Sequence, residues 1–206
     1  MQLEEALAAV VAEVERLPRP DTRRLIAIAG PPASGKSTLA EVLAETLPDA
    51  CVVPMDGFHL DNRILSGRNL LHRKGAPMTF DVAGFRHLLA RLKTENEVHY
   101  PIFDRSLDCA IAGAGVVGQD TKTVVIEGNY LLLDAAGWRA LRPLWDFAAY
   151  LSVPEDVLQD RLMQRWAQHG FSRDEAAQKT ETNDLPNART TVQNMLEPDL
   201  LLTGTF

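Results

Sequence analysis

The sequence predicts an α/β fold, a three-layer sandwich on a mainly parallel sheet of about five strands, with a small hairpin and a helical lid. Three observations predict it. Short apolar runs without a polar face recur at residues 25–29, 51–53, 123–126, 147–153 and 199–203, as strands buried on both faces do. Segments with apolar residues at steps of three and four stand between them, and alternation of strand and helix builds a parallel sheet covered on both sides. The first run also stops at a glycine-bounded loop from which a helical pattern opens directly.

At 206 residues and 22.7 kDa the chain reads as one domain, 1–206, with room for a sizeable core. A net charge of -7 argues against broad nucleic-acid or anionic-membrane binding. Cys51 and Cys109 form no disulfide framework or metal-ligand pattern and read as thiols of a reducing compartment. Glu4 and Glu5 stand where a signal peptide would be positive, and no apolar run approaches the ~20 residues of a membrane span, so the expectation is cytoplasmic.

In chain order, Leu3, Leu7, Val10, Val14 and Leu17 mark an amphipathic helix within residues 1–18, terminated by Pro18 and Pro20. It is barely two heptads long, which favours docking on its own domain over a coiled coil. Then Gly30-Pro31-Pro32-Ala33-Ser34-Gly35-Lys36-Ser37-Thr38 gives G-x-x-x-x-G-K-S. That spacing is a phosphate-cradling P-loop, and the expected strand and helix flank it on the correct sides. Gly30 and Gly35 are expected to let backbone amides turn inward as an anion nest, at the positive end of the helix bearing Leu39, Val42, Leu43 and Leu47. Lys36 would reach the outer phosphates and Ser37 would ligate magnesium.

The strand at 51–53 delivers Asp56 to the sheet edge that holds the P-loop, a suitable place for a catalytic carboxylate. Residues 60–80 lack periodicity and read mostly as a solvated loop, after which Asp81 caps a helix with Val82, Phe85, Leu88, Leu89 and Leu92 on one face. Gly113, Gly115 and Gly118 satisfy the dinucleotide pattern G-x-G-x-x-G, yet a strand follows where a helix is required, so 98–118 reads as a hairpin. Glu127 ends an apolar strand as a magnesium-holding acid does. Trp138, Leu141, Leu144 and Trp145 read as core, and Pro154 starts a helix that puts Arg161 and Arg165 on one face. This pair fits surface charge and a site role equally well. Residues 168–187 read as a mobile helical turn and loop, the centre of a lid at 160–187, and a helix resumes at 190–196.

With these residues placed, the chain resembles the uridine kinase, phosphoribulokinase and type I pantothenate kinase group of P-loop kinases over nearly its whole length. The resemblance rests on GPPASGKST, then MDGFHL, RKGAPMTFD, YPIFDR and IEGNYLL in that order. It is also similar to short bacterial members labelled as kinases of a fructose-transport system. The resemblance implies a P-loop NTPase fold that uses ATP and Mg2+, with Gly30, Ala33, Ser34, Gly35, Lys36, Ser37 and Thr38 on the nucleotide and Ser37 and Glu127 on the metal. It further implies Asp56 as base toward the acceptor hydroxyl, Arg161 and Arg165 on the transferring phosphate, and His59, Lys74 and Tyr100 on the acceptor side.

Uridine kinases usually carry Asp-Ser-Phe-Tyr where this chain has Asp56-Gly57-Phe58-His59, and the pantothenate kinases are much longer. The acceptor stays open among a sugar such as fructose, a pantothenate-like molecule and a nucleoside, and the oligomeric state between monomer and homodimer. A GTPase switch would need a guanine-reading Asn-Lys-x-Asp element, which the sequence lacks. A nucleotide-binding regulatory protein without turnover would keep the P-loop but has no need of Asp56.

Overall fold

A computed structural model describes residues 1–18 and 22–206. Seven strands follow one another among them: β1 (Arg24–Ala29), β2 (Ala50–Pro54), β3 (Val98–Asp104), β4 (Cys109–Val117), β5 (Thr123–Gly128), β6 (Phe147–Ser152) and β7 (Leu200–Thr203). Five of them form a wholly parallel sheet in the order β2-β5-β1-β6-β7, while β3 and β4 pair antiparallel as a separate hairpin. The helices are α1 (Leu3–Arg16), α2 (Lys36–Thr46), α3 (Asn62–Gly67), α4 (Val82–Thr94), α5 (Glu155–Gln168), α6 (Arg173–Lys179) and α7 (Leu185–Gln193). None is long and apolar enough to cross a membrane.

The three layers follow from strand alternation. On β1, Ile26 and Ile28 face Leu39 and Leu43 of α2, with Ala6, Val10 and Val14 of α1 behind them. Leu25, Ala27 and Ala29 point the other way, into the core shared with Phe85, Leu88, Leu89 and Leu92 of α4. All five are fully buried, so the strand reads as a continuous apolar run. Asp81 accepts a hydrogen bond from the Gly84 amide and caps α4, a contact that contributes about 1 kcal/mol. α1 ends at Arg16 ahead of Pro18, and Pro20 lies outside the described residues.

Two expectations about the elements change. Residues 51–53 were expected to form a second buried strand, but β2 is the sheet edge and only Val53 is fully buried. The hairpin leans on this edge, where the Tyr100 hydroxyl donates to the Val52 carbonyl at 3.1 Å. Within residues 168–187 the expected turn and loop is confined to 169–172, after which α6, a π-helical turn at Thr180–Asp184 and α7 run on without a break. Helix α7 begins five residues ahead of Thr190, with Pro186 in its first turn directly after the π-helical turn.

Arg23, just before β1, is buried, and its guanidinium donates to the carbonyl oxygens of Thr121, Leu92, Glu95, Asn96 and Gly118. These five acceptors use the full donor capacity of the group. They join the end of α4 to the segment entering β5.

Candidate active site

The loop between β1 and α2 lies at the carboxyl edge of the sheet, next to the strand from which the chain turns first to one side and later to the other. Parallel sheets bind ligands in that crevice. Gly35 has φ 94° and Ala33 has φ 63°, so the left-handed turns of the nest fall on those two residues. Gly30 was expected to share that role, but it serves close approach: a β-carbon there would come within 2.7 Å of Ser34 Oγ and 3.1 Å of the Leu151 carbonyl. Ser34 Oγ is buried without a hydrogen-bond partner among the described residues, as expected of a cradle built around polar atoms supplied by a ligand. Thr38 is exposed in the first turn of α2.

Glu127 sits at the end of β5, beside the P-loop strand. Its carboxylate accepts from the Ser37 hydroxyl at 3.1 Å. Burial pushes the Glu127 carboxyl up, and the Lys36 ammonium pulls it back. Burial likewise pushes Lys36 down, against the attraction of Glu127 and then of Asp56. A hydroxyl and one carboxylate are hard oxygen donors of the kind magnesium takes beside nucleotide phosphates, so the residues present fit that ion.

Asp56 lies in a helical turn, Met55–Phe58, directly after β2. Its Oδ2 accepts from Arg105 Nη2 at 3.3 Å. Gly57 beside it has no room for a side chain, since a β-carbon would fall 1.9 Å from the Pro101 carbonyl. His59 Nδ1 donates to the Asp56 carbonyl at 2.7 Å, and its ring stacks between Phe80 and Phe103 at centroid distances of 4.0 and 4.7 Å. That burial holds the imidazole below its usual pKa.

The two arginines of α5 divide. Arg161 donates to the Ala33 carbonyl at 3.2 Å and the Phe206 carbonyl at 2.6 Å, which braces the P-loop from outside. Arg165 is half-buried near Asp184 at 3.9 Å, and burial lowers its pKa while Asp184 opposes the shift. The fields of Asp56 and Arg105 also reach it. Asp184 in turn accepts from the Trp166 indole at 2.6 Å, and its own carboxyl is pushed up by burial.

A model of the Phosphoribulokinase / Uridine kinase family matches residues 25–198. The chain belongs to that family. Among solved structures it is similar to a "putative fructose transport system kinase" from Silicibacter sp. TM1040, at 50% identity and a TM-score of 0.91 with 98% of each chain covered. It is 33% identical over 194 residues to a "putative uridine kinase" of Schizosaccharomyces pombe, covering 87% of this chain and 83% of that one. It is 31% identical over 156 residues to the pantothenate kinase of Leifsonia xyli, covering 71% of this chain and 47% of that one.

In this family member two acceptor-side expectations are corrected. Tyr100 is buried, and its hydroxyl is committed to β2 rather than to the crevice. Lys74 spends its three N–H donors on Asn62 Oδ1 at 2.7 Å, the Asp108 carbonyl at 2.7 Å and Asp108 Oδ1 at 2.8 Å. It pins the hairpin tip to α3. Loop 60–80 likewise proves to be α3 and two short helical turns rather than a solvated coil, fastened by Tyr130 on the Gly75 carbonyl at 2.6 Å and Arg73 on the Thr182 carbonyl at 3.0 Å. Arg105 was not singled out in the sequence, although it closes the quoted Y-P-I-F-D-R run.

Proposed function

We propose that this kinase-family protein transfers the γ-phosphoryl group of ATP to a hydroxyl of a small metabolite, with magnesium. The observation that carries the reading is the convergence of Lys36, Ser37, Glu127 and Asp56 from three separate strand ends, with Ser37 and Glu127 already 3.1 Å apart. Ala33, Ser34 and Gly35 cradle the phosphates, and Lys36 places its charge on the outer ones. Ser37 and Glu127 would hold the ion, which when bound would offset negative charge on the phosphates. Asp56 accepts the acceptor hydroxyl's proton as that oxygen bonds to the γ-phosphorus and the bond to the ADP oxygen breaks. Arg165 meets the charge that spreads over the transferring group. The protein acts in the cytoplasm as a monomer or homodimer, within a single domain whose 160–187 segment closes as a lid.

Two substitutions test this reading. Lys36→Ala is expected to remove most ATP affinity or turnover in a direct titration, and equal affinity with equal turnover would overturn the nucleotide site. Asp56→Asn is expected to lower turnover roughly 10²–10⁴-fold with ATP binding nearly intact. Turnover within about threefold of wild type, in a correctly folded variant, would remove Asp56 as the base.

A further inference from the structure

Resting on that reading, we infer that the acceptor carries an acidic group, a carboxylate or a phosphate, and that Arg105 binds it. The cations that converge on the crevice have different calls on them. Lys36 belongs to the P-loop, and Arg165 rises from α5 with Asp184 as its partner. Lys74 has no donor left. Among the described residues Arg105 alone of these cations comes from the hairpin side, and it touches the carboxylate that would meet the acceptor hydroxyl. One 3.3 Å contact occupies one of its five N–H donors, and 61% of the side chain is open to solvent. Its planar fork suits two-point binding of a carboxylate or phosphate better than recognition of a neutral polyol.

The hairpin tip fixes the backbone turn from which Arg105 projects. Asp104 accepts from Ser106 N at 2.9 Å, Ser106 Oγ at 2.6 Å and Leu107 N at 3.0 Å, closing the turn that carries Arg105. Asp108 is clamped from below by Lys74 and by Asn62 Nδ2 at 2.8 Å. A guanidinium resting on Asp56 Oδ2 occupies part of the carboxylate that the acceptor hydroxyl would approach. An acidic group that draws Arg105 away frees Asp56 for the hydroxyl of the same molecule. Binding of the right acceptor and readiness of the base then become one event.

The test uses matched pairs that differ in the acidic group: glycerate and glycerol, fructose 6-phosphate and fructose, pantothenate and pantothenol. Wild type, Arg105→Gln and Arg105→Lys are compared for ADP formation with each, and for ATP binding alone. The expected result is turnover of at least one acidic member at least about tenfold above its neutral partner, the minimum one well-made charged contact supplies. Arg105→Gln raises KM for that acidic member about 10–100-fold and leaves kcat within about threefold, and Arg105→Lys falls between. The inference is overturned by equal use of both members of each pair, by an equal loss on acidic and neutral members, or by a wild type that binds ATP and phosphorylates no acidic member. A fall in ATP affinity in Arg105→Gln also overturns it, because Arg105 would then serve the nucleotide. Loss of ATP binding in the wild type would strike the kinase reading instead.

Discussion

His59 shows how one side chain ties the crevice to pH. Its ring is stacked between Phe80 and Phe103 and its pKa is lowered, chiefly by burial. Below about pH 6.5 the unfolded chain takes up a proton that the folded chain resists, so this histidine withdraws stability as pH falls through that value toward its lowered folded pKa. Glu127 and Asp184 have raised pKa values and act with the opposite sign, so the wild-type slope alone is ambiguous. His59→Phe keeps the stack and removes the proton. The difference in Tm between wild type and variant should therefore shift in the variant's favour from pH 7.5 to pH 5.5. A constant difference over that range would mean that His59 takes up its proton equally in the folded and unfolded chains, and so that burial does not lower its pKa. Gly57 is a second single-residue constraint: of the two positions, 57 and 59, at which this chain departs from the Asp-Ser-Phe-Tyr pattern, it is the one where Pro101 leaves no space for a β-carbon.

Among the elements, α5 separates two arginines that helical spacing alone made equivalent. Arg161 bonds to backbone carbonyls at Ala33 and Phe206, whereas Arg165 turns toward Asp184 and the crevice. Arg165→Ala is expected to depress kcat by on the order of 10³ with little change in Tm, the loss seen when an arginine meeting phosphoryl charge is removed. Arg161→Ala is expected to weaken ATP binding about tenfold and lower Tm by roughly 4–8 °C, from about 2 kcal/mol of charge-assisted hydrogen bonding. The reverse assignment of effects would exchange their roles. The spacing G-x-x-x-x-G-K-S placed the β1–α2 turn because it encodes a backbone shape, and the apolar runs placed the strands because both faces are buried. Lys74, Tyr100 and Arg105 were not legible in this way, since their partners at Asp108, Val52 and Asp56 lie 34 to 49 residues away and no local period records them. The polar residues 173–187 misled for a related reason: Thr180, Asp184 and Asn187 are buried, so composition hid a packed helical segment.

Across the whole molecule, Arg23 joins regions that share no strand ladder with it. Its five carbonyl partners run from residue 92 to residue 121, and no carboxylate is among them. Arg23→Met keeps much of the volume but leaves those oxygens unpaired in a buried place. A loss of about 3–5 kcal/mol is expected, seen as a fall in Tm of roughly 6–20 °C. Arg23→Lys should recover only part, because an ammonium has three donors where the guanidinium has five. A Tm within about 2 °C of wild type for Arg23→Met would show that water takes over those carbonyls.

The strand order sets a timetable for synthesis of the chain. β1 is flanked by β5 and β6, and the bond from Arg24 to Thr123 spans 99 residues. At about 5–20 residues per second, the ribosome needs roughly 5–20 s to deliver the first strand that can pair with β1. For that interval an apolar strand waits with both edges open, a state in which nascent chains meet chaperones or one another. A chain released before residue 123 would carry every letter of the phosphate-loop motif and have no sheet to hold it.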